Sequence, residues 1–492
     1  MTEMLSDVIA PVLVARHGDT EADISLELPV ADDSRRVSCG GVFIAVPGCS
    51  FDGHDYIDEA LRSGVRAVVH ERDLPTYHPH VAYFQCSSSA LAKGLIWKAY
   101  FGRPDDALEV LGVTGTNGKT TTAFLLERIF SLAGRPCGLI STVEYRDGKT
   151  RCPSVNTTPG VARVYELLAA MRNNGLRAAA MELSSHALDQ RRTAGLKLSV
   201  GIFTNLTGDH LDYHGDMERY YQAKKRMFTE LLSPDGTAVV NADDAYGRRL
   251  ASELKGIRRL ETFGVRGGAK WRIMNIRLFV DHAEFMLASR ERAFDICSNL
   301  IGAHNVYNLT GAVLAALVLG TAPAALDRAL REPVVVPGRL EVFRRSDGAA
   351  FYVDYAHTDD ALKNVLSALR QLTGGRLIVV FGAGGDRDRS KRPRMGKVAA
   401  EIADVLIVTS DNPRHESPEA IIAEVVSGIP SDAVYEVVSD RRAAIERAFR
   451  IAGPGDRVLV AGKGHEDYQE IAGVKHHFSD CEELERLLRG NA

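Results

Sequence analysis

The residues most able to do chemistry lie in one short stretch, where an apolar run leads into glycines, a lysine and hydroxyl side chains. The stretch is Leu108-Glu-Val-Leu-Gly-Val-Thr-Gly-Thr-Asn-Gly-Lys-Thr-Thr-Thr-Ala123. Gly115 and Gly118 let backbone N–H groups approach phosphate oxygens, and a following helix would present its positive N-terminus to them. We expect Lys119 to reach the terminal phosphates of ATP and the Thr120 hydroxyl to hold Mg²⁺. The pattern predicts an ATP phosphate-binding loop between a strand and a helix.

The residues after this loop have the spacing of a helix. Apolar side chains recur so that one face can pack on a sheet, and they are Leu125, Leu126, Ile129, Phe130 and Leu132. The loop is shorter than the usual phosphate-binding signature, because Val113 stands where that signature has its first glycine. The alternative interpretation is a glycine-rich strand-to-helix turn in an ordinary α/β core.

Length and composition predict a large multidomain enzyme. The 492 residues correspond to about three domains at ~150 residues each. Hydrophobic residues make up 45% of the chain, which is enough for several cores. The net charge of -4 has mixed signs, so it argues against a protein that coats nucleic acid, although it is compatible with local basic pockets.

The cysteines and the N-terminal residues indicate the compartment. Seven cysteines are scattered without a Cys-x-x-Cys pair, which fits a reducing cytosol, argues against a zinc site and predicts structural roles for them. The apolar run at residues 8–15 makes a poor signal peptide because its flank is acidic and Pro11 interrupts it. No segment is long enough to span a bilayer. The sequence predicts a cytoplasmic protein without membrane insertion or a nucleic-acid partner.

The chain divides into three blocks of alternating strands and helices. Residues 1–90 predict a small α/β unit, residues 91–336 a doubly wound sheet that carries the phosphate loop, and residues 337–492 a further α/β unit after Pro337-Gly338. Predicted strands lie at 41–46, 65–69, 177–182, 200–205, 377–381, 405–408 and 458–460, and a predicted helix at 56–63.

Three predicted strands of the last block each lead into a charged or glycine-rich loop. The loops contain Gly382-Ala-Gly-Gly-Asp-Arg387, Asp411-Asn-Pro-Arg414 and Gly462-Lys-Gly-His-Glu466. They should converge on one crevice, because ligands of open α/β sheets bind at the carboxyl ends of strands. The first loop is a poor dinucleotide fingerprint, since Arg387 replaces its third glycine. Guanidinium and carboxylate groups suit a zwitterionic amino acid. The alternative is a set of solvated loops, which competes equally for Arg389, Lys391 and Arg392.

An ordered set of motifs runs through nearly the whole chain. Its members are Asp33-Ser-Arg35, Gly115-Thr-Asn-Gly-Lys-Thr120, Asn156-Thr-Thr-Pro159, Glu182-Leu-Ser-Ser-His186, Asp209-His-Leu-Asp-Tyr-His-Gly215, Ala223-Lys224, His304-Asn-Val-Tyr-Asn308, Gly338-Arg339, Asp354-Tyr-Ala-His-Thr358 and Asp411-Asn-Pro-Arg414. Each motif alone is weak, whereas the ordered set is specific. It resembles the Mur ligase family, MurE type, whose members add the third peptide residue to the peptidoglycan precursor. The resemblance implies three domains: a small α/β domain for the uridine nucleotide, a central P-loop ATPase-like domain, and a Rossmann-like domain for the incoming amino acid.

The resemblance also implies the reaction and its cofactors. ATP phosphorylates the side-chain carboxylate of D-glutamate in UDP-N-acetylmuramoyl-L-alanyl-D-glutamate, and the amine of meso-diaminopimelate attacks the acyl phosphate. Two multiply charged reactants meet, which requires metal and cationic screening. The implied cofactors are ATP, Mg²⁺ and carbon dioxide held as a lysine carbamate. Peptidoglycan synthesis would serve cell wall biogenesis, cell shape and cell division, and we expect a monomer.

Site residues follow from the matching motifs. By resemblance, the catalytic residues are Lys119, Glu182, His210 and Lys224, and the metal ligands are Thr120, Glu182, His210 and Lys224 as its carbamate. The implied ATP-binding residues are Gly115, Thr116, Asn117, Gly118, Lys119, Thr120, Thr121, Asn305, Arg339 and Asp354. The implied contacts to the UDP-muramoyl dipeptide are Ser34, Cys49, Ser50, Phe51, Asn156, Thr157, Thr158, Ser184, Gln190 and Arg192. The implied diaminopimelate pocket consists of Arg387, Asp411, Asn412, Pro413, Arg414, Gly462 and Glu466, with Glu466 facing an ammonium group.

Several of these residues have structural alternatives. A strand-end surface acid competes for Glu182, a structural histidine for His210 and a helix cap for Asn308. Lys224 must be unprotonated to react with carbon dioxide, and lysine pKa values fall readily on burial or near metal.

The choice of diaminopimelate rests mainly on Arg414. The two candidate amino acids differ by one distal carboxylate, which needs a cation, and lysine-adding relatives lack this arginine. The alternative is that Arg414 pairs with Glu416 or Glu419 at a helix start. Two departures from the family pattern, Asp359 in place of a proline and Asp32 in place of an apolar residue, leave room for a divergent paralogue.

Other functions remain open at this stage. One is an L-lysine-adding MurE-type ligase. Another is a Mur-like ligase of a different pathway, such as folylpolyglutamate synthesis or a specialised peptide assembly, against which the motifs at 156–159 and 411–414 argue. A third is a non-catalytic nucleotide-binding regulator, which should have lost Lys119, Glu182 or Lys224.

Overall fold

Three β-sheets follow one another along the chain, each with its own hydrophobic core. The computed structural model describes residues 3–48 and 51–490. Cys49 and Ser50, two of the predicted contacts to the uridine end, lie outside the described residues. The architecture is the three-domain α/β fold that the motifs imply.

The first sheet is small and mostly parallel. Its strands are β1 (Leu13–Gly18), β2 (Val30–Ala31), β3 (Val42–Ile44), β4 (Ala67–His70) and β5 (Ala82–Cys86), and its helices are α1 (Leu5–Ile9), α2 (Ile57–Arg62) and α3 (Ser89–Tyr100). The strand order is β1-β5-β4-β3-β2, and only β1 is antiparallel to its neighbour. The predicted strands at 41–46 and 65–69 are β3 and β4, and the predicted helix is α2.

The second sheet has eleven strands. They are β6 (Glu109–Thr114), β7 (Cys137–Ile140), β8 (Glu144–Arg146), β9 (Arg151–Pro153), β10 (Ala178–Glu182), β11 (Leu198–Phe203), β12 (Leu232–Asn241), β13 (Arg259–Gly264), β14 (Trp271–Leu278), β15 (Ala283–Ala288) and β16 (Ala293–Ser298). The order is β16-β15-β14-β13-β12-β11-β6-β10-β7-β8-β9. The strands from β14 to β7 pair in parallel, and antiparallel strands extend both edges. The doubly wound centre is as predicted, whereas the antiparallel extensions were not predicted.

The helices of the second block cover this sheet. They are α4 (Lys119–Leu132), α5 (Val161–Asn173), α6 (Ser185–Asp189), α7 (Leu211–His214), α8 (Met217–Arg226), α9 (Ala245–Leu254), α10 (Ala303–Val318) and α11 (Pro323–Arg331). Helix α4 buries Leu125, Leu126, Ile129 and Phe130 in the core. Leu132, the last residue of α4, is 38% exposed, so the prediction of its burial is wrong.

The third sheet forms the C-terminal unit. Its strands are β17 (Glu341–Arg344), β18 (Ala350–Asp354), β19 (Leu377–Phe381), β20 (Val405–Val408), β21 (Tyr435–Val437) and β22 (Arg457–Ala461), in the order β17-β18-β22-β19-β20-β21. A hairpin of β23 (Tyr468–Ile471) and β24 (Val474–His477) follows, and the helices are α12 (Asp359–Gln371), α13 (Lys391–Ile402), α14 (Pro418–Val426), α15 (Arg441–Ile451) and α16 (Asp480–Arg489). The three predicted strands are the adjacent parallel strands β22, β19 and β20. Among the described residues, no helix is long and apolar enough to cross a membrane.

Candidate active site

The predicted phosphate-binding loop connects the end of β6 to the start of α4. Gly118 precedes the helix with φ of +88°, a left-handed conformation that glycine adopts without steric cost. A Cβ atom at this position would collide with the Asn308 Oδ1 atom. The loop therefore requires glycine here, and the start of α4 offers an anion the positive end of the helix dipole.

Lys119, the first residue of α4, folds back over the loop. Its Nζ atom donates to the carbonyl oxygens of Gly115 (3.0 Å) and Thr116 (2.8 Å). Burial lowers the pKa of Lys119, while the nearby carboxylates of Glu182 and Asp209 act in the opposite direction. The amine is thus held at the loop where phosphate oxygens would bind.

Glu182 is brought to the loop by strand pairing. Strand β10 lies parallel to β6 with Glu182 opposite Val113. The Glu182 carboxylate is fully buried and accepts from the Thr120 hydroxyl (3.1 Å), the Thr142 hydroxyl (3.0 Å) and the Thr142 N–H (2.7 Å). The interpretation of Glu182 as a surface acid is therefore wrong. Sequence reasoning missed Thr142, although its place just after the parallel strand β7, at the same sheet edge, could have indicated it.

Lys224 lies on α8 and is 1% exposed. Its Nζ atom donates to the Gly115 carbonyl oxygen (2.7 Å) and stands 4.5 Å from the centre of the Tyr220 ring. Burial lowers the pKa of Lys224 well below its ordinary value, and the charge of Lys119 acts in the same direction. Burial therefore favours the neutral form of the Lys224 amine more than solvent would.

His210 occupies an unusual backbone position at the rim of the cavity. It precedes the short helix α7 with φ of +54°, and its side chain is 45% exposed. Its Nε2 atom is 3.4 Å from an Asp209 oxygen, and its ring packs edge-on against His186, with centroids 4.8 Å apart. The imidazole is thus presented to the cavity by a strained turn.

Asn305 and Asn308 are buried in α10, on the side that faces the phosphate loop. Asn305 donates to the Ile301 carbonyl oxygen (2.9 Å), and Asn308 donates to the Asn305 Oδ1 atom (3.0 Å). Asn308 lies in the helix interior against Gly118, so the alternative of a helix cap is wrong.

Arg339 and Asp354 bring the third block to the same cavity. Arg339 donates to the Thr120 hydroxyl (3.1 Å). Asp354 ends β18 and accepts from the N–H groups of Leu340 (2.8 Å) and Ala356 (2.8 Å), and burial raises the pKa of its carboxyl. The Arg339 contact links the third block to the phosphate loop, whereas the hydrogen bonds of Asp354 stay within the third block.

One cavity of about 550 Å³ joins these groups. Among the predicted residues, its lining includes Thr116, Asn117, Gly118, Lys119, Thr120, Thr121, Thr157, Glu182, Ser184, His210, Lys224, Asn305, Arg339 and Asp354. It also includes residues that sequence reasoning did not select, namely Thr142, Asp209, Tyr220, His357 and Asp360. The volume and the cationic and hydroxyl lining suit a nucleoside triphosphate.

The departure from the family pattern at the start of α12 leaves the local contacts intact. Thr358 caps the helix, and Asp359 occupies its first position. Asp360 accepts from the Asn117 amide (2.8 Å) and the Thr207 hydroxyl (3.1 Å) of the second block. The aspartate at 359 therefore does not disturb the contact between the two blocks.

The predicted amino-acid pocket is a cluster of polar residues where the loops after β19, β20 and β22 meet. Lys463 is fully buried and donates to Asn412 Oδ1 (2.9 Å) and the Tyr468 carbonyl oxygen (2.7 Å). Asn412 in turn donates to Glu466 (2.8 Å). Burial acts to raise the pKa of Asp411, yet Lys463 and other cations hold that pKa below its ordinary value. Sequence reasoning quoted the loop of Lys463 but gave this residue no role.

Arg414 faces this pocket from the loop after β20. Its guanidinium donates to the Gly385 carbonyl oxygen (2.7 Å) and lies 3.6 Å from Glu470. The predicted alternative, pairing with Glu416 or Glu419, is wrong, because Glu416 binds another arginine and Glu419 binds a serine hydroxyl. The partner of Arg414 comes from β23, which is distant in sequence.

The remaining predicted pocket residues differ in exposure. Gly462 has φ of +119°, and a Cβ atom there would collide with Asp411. Pro413 is buried, whereas Arg387 is exposed and donates to the Asp386 carbonyl oxygen (2.9 Å). Burial, reinforced by Asp411, raises the pKa of Glu466.

The three neighbouring cations at the start of α13 have separate environments. Arg392 is fully buried and binds Glu416 (2.7 Å) and Glu424 (2.9 Å), so a solvated loop is the wrong interpretation for it. Arg389 is exposed and also pairs with Glu424, and Lys391 is 8% exposed.

The Asn-Thr-Thr motif lies beside Glu182. Thr158 donates to the Glu182 carbonyl oxygen (2.8 Å), and the Thr157 hydroxyl is hydrogen-bonded to the Thr142 hydroxyl (3.1 Å). Ser184 caps α6 through its side chain. The hydroxyl groups thus form one continuous rim next to the buried carboxylate.

Three other predicted dipeptide contacts lie further out. Arg192 donates to the Thr158 carbonyl oxygen (3.3 Å) and to Gln190 Oε1 (2.9 Å), and Asn156 is exposed. These side chains extend the rim away from the cavity.

The predicted uridine end lies in the first block, outside the cavity lining. Ser34 is buried and donates to Glu59 (3.0 Å), while Phe51 is 74% exposed. This part of the predicted site is therefore separate from the phosphate loop.

Three regions of the chain match family models of Mur ligase domains. Residues 30–90 match the Mur ligase family catalytic domain, residues 113–316 the Mur ligase middle domain, and residues 338–464 the Mur ligase glutamate ligase domain.

Curated relatives match over most of their length. A UDP-N-acetylmuramoyl-L-alanyl-D-glutamate–2,6-diaminopimelate ligase of Geobacter metallireducens is 42% identical and covers 96% of both chains. A ligase of the same name from Aquifex aeolicus is 43% identical over 93% of both chains. A solved structure of a ligase with this name superposes with a TM-score of 0.72 at 33% identity and covers 100% of this chain and 99% of its own.

Proposed function

Because this chain belongs to the Mur ligase family, we propose that it is the ATP-dependent ligase that adds meso-diaminopimelate to UDP-N-acetylmuramoyl-L-alanyl-D-glutamate. The observation that carries the proposal is the pairing of two sites. A phosphate loop with a buried carboxylate and lysine lies in one domain, and a pocket with Arg414 and Glu466 lies in the next. An acyl phosphate made at the first site would be consumed by an amine bound at the second.

The phosphate loop supports the first half-reaction. Lys119 and the start of α4 would bind the phosphates of ATP, so that the D-glutamate carboxylate can attack the γ-phosphorus atom. The bond to ADP breaks and an acyl phosphate forms. Arg339 would screen the charge that develops on the transferred group, and its hydrogen bond to the Thr120 hydroxyl supports this role.

The donor set near the loop fits Mg²⁺. Glu182 and Thr120 offer the hard oxygen ligands that this ion prefers, and His210 lines the same cavity. Bound Mg²⁺ would supply charge screening between the phosphates and the substrate carboxylate.

We extend the proposal to Lys224 as a carbamate. Its neutral amine would attack carbon dioxide and lose a proton, which replaces a cation with an anion. The buried position and the lowered pKa support this reaction, because a neutral amine is the nucleophile. The hydrogen bond to the Gly115 carbonyl oxygen would be replaced by contacts of the new carboxylate.

The second pocket supports the choice of amino acid. Arg414 would bind the distal carboxylate of diaminopimelate, and Glu466 an ammonium group. The amine that attacks the acyl phosphate must be neutral, and a tetrahedral intermediate then collapses with loss of phosphate. Asp411, Asn412, Pro413, Gly462 and Arg387 would complete this pocket.

The proposal also covers the domains, the contacts to the nucleotide substrate, the cellular location and the oligomeric state. We propose one domain each for the uridine nucleotide, ATP and the amino acid, which the three separate sheets support. The boundary after residue 336 falls between two sheets, whereas the boundary after residue 90 falls inside α3, whose Ala92 and Ile96 pack in the first core. Ser34 and the neighbouring loop would bind the uridine end, and the hydroxyl rim at 156–158 with Ser184, Gln190 and Arg192 the muramoyl peptide. We propose a cytoplasmic location, which the free cysteines and ATP use support, and a monomeric state.

One assay tests the function. Purified protein is incubated with ATP, Mg²⁺ and UDP-N-acetylmuramoyl-L-alanyl-D-glutamate while the amino acid is varied, and phosphate release and product mass are measured. We expect release to require meso-diaminopimelate. Equal release with L-lysine would indicate a lysine-adding ligase, and release only with a folate or another acceptor would assign the chain to a different pathway.

A further inference from the structure

A second group of potential metal ligands lies at the outer edge of the central sheet. His282, Glu284 and Cys297 each offer one ligand atom, and these atoms all lie within 4.8 Å of one another. None of the three residues lines the ATP cavity. We infer that they form a zinc site with one imidazole nitrogen, one carboxylate oxygen and one thiolate sulfur as protein ligands.

Strand register places the carboxylate and the thiol together. Glu284 on β15 is directly opposite Cys297 on β16, and Arg277 on β14 is directly opposite Glu284. Directly opposite residues share one face of a sheet. Arg277 binds the Glu284 Oε2 atom at 2.6 Å and so leaves Oε1 toward the histidine, 3.7 Å from His282 Nε2.

The histidine is oriented as metal-bound histidines usually are. Its Nδ1 atom is 2.7 Å from an Asp281 oxygen, and because a carboxylate only accepts, Nδ1 carries the hydrogen. A metal-bound ring with this tautomer would therefore bind through Nε2, the atom 3.7 Å from Glu284. The ring also stacks on Phe279, with centroids 4.2 Å apart and planes 9° apart. A carboxylate behind a liganding histidine is the common outer-shell partner of zinc sites.

The ligand types select the metal. Thiolate and imidazole favour Zn²⁺ over Mg²⁺ or Ca²⁺, which take oxygen ligands. Tetrahedral zinc places its ligand atoms about 3.3–3.8 Å apart, so the 3.7 Å separation of His282 and Glu284 already fits. Cys297 is exposed, its sulfur lies within 4.8 Å of the other two ligand atoms, and its proton would be lost to solvent on binding. Three protein ligands leave the fourth position to water.

The position of the site indicates its effect. Strand β16 is the outermost strand of the sheet, and unpaired edges are prone to fraying and to pairing with other chains. Zinc would tie the turn before β15 to this edge strand. The sequence did not indicate this site, because the Cys-x-x-Cys pattern does not apply to a site with a single cysteine. The cysteine also lies on the strand after the other two ligands.

Cobalt titration tests the site. Metal-free full-length protein is titrated with Co²⁺ under reducing conditions, and the near-ultraviolet thiolate-to-cobalt band is recorded. The described residues that line the ATP cavity include no cysteine, so Co²⁺ bound there does not produce this band. We expect one equivalent to bind with the band, zinc to displace it and millimolar Mg²⁺ to leave it unchanged.

Variants separate the site from other thiols. Cys297→Ser should abolish the band, whereas Cys39→Ser, which removes another exposed thiol, should retain it. Asp281→Asn should weaken zinc binding about 10- to 100-fold. Zinc should raise the thermal midpoint of the wild type but not that of Cys297→Ser, while Mg²⁺-supported turnover is unchanged in that variant. A band that survives Cys297→Ser, or no band in the wild type, would overturn the inference.

Discussion

Replacement of Arg414 should reduce the preference for diaminopimelate over lysine without destroying the enzyme. The guanidinium is 18% exposed and held by the Gly385 carbonyl oxygen and by Glu470. Arg414→Ala removes the only charge we assign to the distal carboxylate. The backbone strain at this position, φ of +52°, is present with either side chain, so the loop should keep its conformation.

The structure sets the size of the effect. A hydrogen bond to a charged group contributes about 1.5–3 kcal/mol, which corresponds to roughly 10- to 150-fold in selectivity. A wholly unpaired buried arginine would exclude lysine more strongly than this. Glu470 lies 3.6 Å from Arg414, however, and partly compensates its charge when lysine is bound. Glu470→Gln should therefore increase the preference for diaminopimelate.

Competition measures this selectivity. Both amino acids are supplied at equal concentration, and the ratio of the two products is determined by mass. Glu419→Ala is the matched control, since Glu419 is exposed in the first turn of the following helix α14 and accepts a hydrogen bond from the Ser417 hydroxyl. An Arg414→Ala variant with the selectivity of the wild type would refute the assignment of this residue.

Three further predictions concern buried charges. Glu182→Gln keeps the shape of the side chain but removes an anionic ligand worth ~3–4 kcal/mol in the transition state. The rate of phosphate release should therefore fall at least about a hundredfold, while the thermal midpoint is maintained. Near-normal turnover would contradict the assignment of the ATP site. Lys224→Met should be inactive. Burial lowers the pKa of Lys224, so between that lowered value and 10.5 the unfolded chain binds more protons than the folded chain. The wild type should therefore lose stability relative to Lys224→Met as pH falls through this window. Thermal midpoints with the opposite trend would exclude a buried neutral amine. Lys463→Met removes the lysine that pairs with both Asp411 and Glu466, so it should cost about 3–5 kcal/mol of unfolding free energy. It should also raise the KM for the amino acid but not the KM for ATP. Lys475→Met, at an exposed neighbouring lysine, should change neither the stability nor the KM.

The local part of the molecule was predictable from the sequence. The phosphate loop and the helix after it were predicted, and strands β19 and β20 were predicted with their observed bounds, because hydrophobic periodicity and glycine placement act over a few neighbouring residues. The ordered motifs also identified the family, and with it the three-domain architecture. Parallel strands followed by polar loops were enough to predict that the loops at 411–414 and 462–466 converge.

Contacts between distant segments were decided only by the tertiary structure. Glu182 reaches Thr120, 62 residues away, because β10 pairs with β6, and Asp360 reaches Asn117 across 243 residues. Local propensity does not specify which strands become neighbours or which side chains lose contact with water. The burial of Lys463 and the grouping of His282 with Cys297 depend on that choice. Motifs therefore indicated which residues could react, whereas strand order and burial determined their partners, charge states and pKa values.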